Sequence, residues 1–86
     1  MKIKDGYSLS FNDGQYTVVS NAVPLKNVIS LNDETAFIFK FIQNGDRTKE
    51  EIFNAVISNF NISAVLALSD VDIFIKLMKE NGIIDE

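Results

Sequence analysis

The 86-residue chain has no cysteine and no histidine. Without thiols there is neither a disulfide nor a thiolate metal site. Without imidazole the commonest general base and the commonest metal ligand are both missing. Cations are also few: eight Lys and Arg stand against twelve acids, for a net charge of −4, and the eight are scattered. A surface that neutralises phosphates needs them clustered, so nucleic acid is not an expected partner. No apolar run approaches the ~18 residues of a membrane span. The opening Met1-Lys2-Ile3-Lys4-Asp5 lacks the apolar centre of a signal peptide. The expectation is a cytoplasmic protein with no membrane partner. Glycine-rich phosphate loops and metal-ligand spacings are missing too, so neither a cofactor nor a metal is expected.

What the chain does have is apolar residues, 47% of the total with seven Phe. That is enough for a packed core and too much for a disordered chain. A length of 86 residues sets the expectation of one small domain, 1–86. Residues 1–6 read as a loose start. Tyr7 to Phe11 alternates, with Tyr7, Leu9 and Phe11 on one face and Ser8 and Ser10 on the other. Asp13-Gly14 is the signal of a two-residue hairpin turn with positive φ at both positions. That turn sets a register of Asn12 with Gln15, Phe11 with Tyr16 and Leu9 with Val18. Asn21 to Lys26, with the one proline, Pro24, reads as a connector. Val28 to Leu31 is the third strand.

Asn32 then caps a helix in which Phe37, Ile38, Phe41 and Ile42 form an apolar stripe. Asn44-Gly45 is expected to stop it through a left-handed glycine. Thr48-Lys49-Glu50-Glu51 is a capping box, T-x-x-E, opening a second helix with Ile52, Phe53, Val56, Ile57 and Phe60. Ser63 caps a third, with Gly82 as its stop. The sum is an α+β chain of winged helix-turn-helix type. A three-stranded antiparallel sheet (about 7–12, 15–20 and 27–31) is followed by three helices (about 33–43, 49–59 and 64–81).

The third helix is the odd one. Val71, Phe74, Ile75 and Met78 form a core stripe. Leu66, Ile73 and Leu77 form a second, roughly 120° away at helical spacing, with Asp70 beside them. A surface helix needs only one such stripe. The second is either a satellite core, a homodimer contact or a partner site. The third strand poses the same choice, because an edge without a neighbour offers its N–H and C=O groups to an extended peptide. Chemistry is not expected from the carboxylates. Asp70 and Asp72, like Glu50 and Glu51, are too close in sequence to face each other on a helix, and the chain does not read as an enzyme.

The runs L-N-D-E-T-A-F-I-F-K-F-I and G-D-R-T-K-E-E-I, with Asp70-Val71, Phe74-Ile75, Met78 and Gly82-Ile83-Ile84 in order after them, resemble the PqqD-like family. That family is named after pyrroloquinoline quinone synthesis protein D. The resemblance spans roughly residues 5–84. It departs from the family pattern at Phe39, where Trp is frequent, and at Phe41-Ile42, where a leucine pair is frequent. It implies a winged helix that recognises the leader of a ribosomally synthesised precursor peptide and presents it to a modifying enzyme, often of the radical S-adenosylmethionine type. It implies that the leader adds as a strand beside the third strand and third helix. Carried to matching positions, with Leu66 added from the second stripe, the strip is Val28, Ile29, Ser30, Leu31, Leu66, Asp70, Ile73, Phe74 and Leu77. The alternatives are a winged-helix DNA-binding regulator, and a scaffold subunit that docks an enzyme without touching peptide. Monomer and homodimer both stay open.

Overall fold

The structure, a computed structural model, describes residues 1–21 and 26–85, without the side chains of Lys26, Asn27 and Asp85. The expected connector falls largely outside them, Pro24 included. The elements are β1 (Lys2–Ile3), β2 (Tyr7–Asn12), β3 (Gln15–Ser20), β4 (Lys26–Leu31), α1 (Asp33–Gln43), α2 (Lys49–Phe60), α3 (Ala64–Glu80) and β5 (Ile84–Asp85). Three antiparallel strands in the order β2-β3-β4, followed by three helices, make the α+β fold expected from the sequence.

The hairpin follows its turn. Asp13 has φ 54° and Gly14 φ 76°, the positive pair that matches a two-residue loop to the twist of its strands. The register is Asn12 to Gln15, Phe11 to Tyr16, Leu9 to Val18 and Tyr7 to Ser20. The apolar face reaches the core through Val18, which is fully buried, with Tyr7 and Leu9 packed against it. Phe11, near the tip, overhangs the core and is 59% exposed. It lies against Tyr16 at 4.7 Å between ring centroids, and Lys40 covers the Tyr16 ring.

Each helix starts at the residue named above. Asn32 Oδ1 accepts from the Thr35 N–H at 2.8 Å, and Thr35 Oγ1 accepts from the Asn32 N–H at 2.9 Å. Thr48 and Glu51 exchange the same two bonds. Ser63 Oγ accepts from the Leu66 N–H. These caps satisfy backbone donors that have no partner within the helix.

Three expectations need correction. The start is not loose: β1 pairs antiparallel with β5, Ile3 opposite Ile84, and both are buried. The Lys4 N–H extends this ladder to the Ile83 carbonyl at 2.8 Å. Two-residue strands at opposite ends of a chain leave no local pattern to read. Gly45 does not have positive φ. Instead Arg47 folds back, its Nε donating to the Phe41 carbonyl at 3.2 Å with the guanidinium 4.2 Å from the Phe41 ring centroid. A side-chain donor at the last turn removes the need for a left-handed stop. Finally, the most buried residues of α1 are Ala36, Ile38, Phe39 and Ile42. Phe37 and Phe41 are half-buried and stack on each other, and Phe37 meets Phe60 of α2 edge-on at 5.4 Å. Helix α1 lies under the sheet and beside α2, so it needs apolar side chains over more than one face.

Candidate functional site

Helix α3 carries both of its stripes as read. Val71, Phe74, Ile75 and Met78 are buried in the core. Leu66 and Ile73 are 58% and 62% exposed, Leu77 is half-buried, and Val65 and Leu68 add further exposed apolar surface. Among the described residues nothing covers Leu66 and Ile73, while Leu77 packs partly against the main core. Between Ile73, Lys76, Leu77 and Glu80 lies a shallow groove of about 240 Å³.

Strand β4 bonds to β3 on one side and has no strand on the other among the described residues. Its register is Leu31 to Tyr16, Ser30 to Thr17 and Ile29 to Val18, then slips so that Asn27 faces Val19. Val28 is the extra residue of a bulge, which bends a strand and breaks its ladder. The regular part of the free edge is therefore Ile29–Leu31. Ser30 is exposed, Val28 and Ile29 are half-buried, and Leu31 is buried. The other edge of the sheet, β2, is likewise without a strand partner among the described residues.

One residue that sequence reasoning passed over bears on Asp70 of α3. It is Glu34, three residues beyond Leu31, whose carboxyl feels the charge of Asp70. Burial first, and then the neighbouring Asp70 carboxyl, push the Glu34 pKa above the ordinary carboxylate value. Oε2 of Glu34 is covered and receives no hydrogen bond. Burial and the neighbouring negative charge both disfavour the ionised form of Glu34. No local signal could have found the pair. An acid in the first turn of a helix reads as a companion to the helix dipole.

The sign of its pH effect follows. Between its ordinary and its raised pKa, Glu34 binds a proton more often in the folded than in the unfolded chain, so stability falls as pH rises through that window. Glu34→Gln should raise Tm by a few degrees at pH 7 and change it little at pH 4, where ~1 kcal/mol corresponds to ~4–8 °C in a domain of this size. Thermal unfolding of both proteins at the two pH values measures this. A gain of equal size at both would mean that the charge of Glu34 is not the cause.

Of the expected strip, the structure leaves Ser30, Leu66 and Ile73 open and Val28, Ile29, Asp70 and Leu77 partly open. Phe74 needs correction: at 1% exposure it belongs to the core and supports the strip from beneath. Its neighbour Ile73 occupies the outer face because adjacent helical positions lie about 100° apart. A larger hollow, about 490 Å³, borders that groove at Lys76 and Glu80 and is lined besides by Met1, Lys49, Asp72, Ile75 and Lys79. It shares no residue with the strip, and within it Lys49 pairs with Asp72 and Lys76 with Glu80. Among the described residues no three His, Cys, Asp or Glu converge as metal ligands would. No helix among them is long and apolar enough to cross a membrane.

A three-stranded sheet with a free edge strand, joined to three helices of which the last exposes an apolar row, defines a small α+β protein with a surface suited to docking. Residues 17–84 match the family described as Coenzyme PQQ synthesis protein D (PqqD), and the chain belongs to that family. Its fold is also that of two solved structures, each 18% identical to it. "TbiB1 in Complex with the TbiA(beta) Leader Peptide" superposes with a TM-score of 0.76 over 96% of this chain and 93% of that one. "Lasso peptide synthetase B1 complexed with the leader peptide" gives 0.73 over 95% and 93%. No curated protein matches the sequence.

Proposed function

We propose that this chain is a non-catalytic peptide-recognition protein that binds the leader of a ribosomally synthesised precursor. The leader adds as a strand to β4 beside α3 and is thereby presented to a modifying enzyme, of radical S-adenosylmethionine type or another class. The observations that carry this reading are a strand edge at Ile29–Leu31 with no strand partner among the described residues, and an apolar row on α3 in which Leu66 and Ile73 are exposed and Leu77 is half-buried. Backbone bonds to the edge supply affinity without demanding sequence, and pockets between strand and helix select alternate side chains. Family membership and the two leader-bound proteins of the same fold support it. A leader that orders on binding gives up part of its gross interaction energy. The expected affinity is submicromolar to micromolar, on the order of −8 to −9 kcal/mol.

An amide NMR titration tests it, with a synthetic peptide covering the leader of a precursor encoded beside this gene. Shifts should concentrate at Ile29–Leu31 and Asp70–Leu77. A spectrum unchanged at saturating peptide would overturn strand addition. The same titration with the adjacent enzyme would then examine the scaffold alternative.

A further inference from the structure

Strand β2 ends the sheet opposite β4, and among the described residues no strand pairs with its outer edge. It keeps one unbroken register with β3 from Tyr7 to Asn12. That stretch has no charge, no proline and no bulge, the devices that usually protect an exposed edge. The Asn21 N–H donates to the Gly6 carbonyl at 2.7 Å, just beyond the pair of Tyr7 with Ser20. Bonds of an antiparallel ladder alternate along each strand. Gly6, Ser8, Ser10 and Asn12 therefore turn their N–H and C=O groups toward β3, and Tyr7, Leu9 and Phe11 turn theirs to the open edge. The stretch is also self-complementary. Tyr7-Ser8-Leu9-Ser10-Phe11 reads aromatic, Ser, Leu, Ser, aromatic from either end.

We propose that a second copy of this chain pairs antiparallel with β2 about a twofold axis at Leu9, joining two three-stranded sheets into one of six strands. A twofold contact needs a surface that complements itself, and this edge does. Leu9 faces its own counterpart, and Tyr7 faces Phe11 of the second copy on both sides of the axis. These are the residues whose backbone groups point outward, so each pair exchanges both of its hydrogen bonds. Phe11, which overhangs its own core, gains an aromatic neighbour and extends the row it forms with Tyr16. On the opposite face Ser8 stands against Ser10 of the second copy. Sliding the copies by two residues either way keeps only pairs of Leu9 with one aromatic residue. It sends the other aromatic against a residue outside the strand. The axis at Leu9 leaves both β4 edges open, at the two ends of the joined sheet, so the dimer does not compete with a leader bound there.

Cross-linking and sedimentation of the full chain test this. The sequence has no cysteine, so introduced thiols report the register without background. Pairs of an antiparallel ladder that share no hydrogen bond bring their Cα atoms to about 4.5 Å, within reach of a disulfide. Under mild oxidation a mixture of Ser8→Cys and Ser10→Cys chains should therefore cross-link roughly tenfold faster than either variant alone. Sedimentation equilibrium should show the 9.6 kDa chain moving toward twice that mass as its concentration rises. A contact made by one strand is small, so the shift is expected between ~10 μM and ~1 mM. Phe11→Lys puts a cation on the edge and should weaken association roughly tenfold or more, with an unchanged melting curve because Phe11 lies outside the core. Ser30→Lys, on the β4 edge, should leave association as it is. A single 9.6 kDa species up to ~1 mM overturns the proposal. Equal cross-linking in all three samples overturns the axis at Leu9, and loss of association with Ser30→Lys instead of Phe11→Lys gives the interface to β4. A monomer whose Tyr7–Phe11 amides shift with leader peptide gives this edge to the leader and overturns the second copy as its occupant.

Discussion

Replacing Phe39 by alanine should lower the stability of the domain by about 3–5 kcal/mol, the usual cost of removing a fully buried aromatic ring. Phe39 has no exposed surface and lies within the cluster formed by Ile38, Ile42, Ile52, Val56, Phe74 and Met78. The loss has two parts, the transfer energy of the ring and the cavity it leaves. Helix α1 is held on several sides, by β1, β2, β4 and α2, so little can move inward to close that cavity. A chain of this length has roughly 4–13 kcal/mol of stability in all, at 0.05–0.15 kcal/mol per residue. The variant should therefore melt roughly 12–40 °C lower, at ~4–8 °C per kcal/mol, and if the starting stability is at the lower end it should be largely unfolded at room temperature. Far-UV circular dichroism against temperature measures it. A drop under about 5 °C would put Phe39 outside the core. Phe37→Ala is the useful comparison. Phe37 is half-buried, stacks on Phe41 and meets Phe60 edge-on, so its loss should cost less.

Ile73→Asp should do the reverse, removing leader binding while the domain stays folded. Its side chain points outward from α3, and an exposed substitution of this kind usually changes stability by about 0.5 kcal/mol or less. Binding is more sensitive. Covering an isoleucine is worth about 1.5–3 kcal/mol, and the aspartate would add a third acid to a face that already holds Glu34 and Asp70. The leader Kd should rise on the order of a hundredfold, which is about 2.7 kcal/mol. Calorimetry with the leader peptide, beside a melting curve, reads both quantities. An unchanged Kd would remove α3 from the binding strip, and a collapsed Tm would place Ile73 in the core. The neighbouring Phe74→Asp should lose its fold, since it would bury an unpaired charge. These adjacent positions with opposite outcomes are the sharpest test of how α3 is oriented.

Short-range physical rules made much of this protein legible in its sequence. The Asp13-Gly14 turn determined the hairpin register, because only a loop with positive φ at both positions matches the strand twist. Asn32, Thr48 and Ser63 determined where three helices begin, because each bonds a backbone N–H only three residues away. The spacing of Val71, Phe74, Ile75 and Met78 determined which side of α3 faces the core, and so which side of it Leu66 and Ile73 leave open. Family membership was legible too, in motifs that are largely these same caps, stops and stripes.

The tertiary structure decided what depends on residues distant in the chain. Strands β1 and β5 exist only because Ile3 and Ile84 meet; neither segment is long enough to signal a strand by itself. Arg47 took over the stop expected of Gly45 because its guanidinium could lie on the Phe41 ring. Phe39 rather than Phe37 became the fully buried ring of α1, because the sheet and α2 both press on that helix. Phe74 moved from the surface strip to the core beneath it. The Glu34–Asp70 contact is the plainest case. Each acid by itself reads as part of a solvated helix end or face, and only the folded chain brings Glu34 under the influence of Asp70.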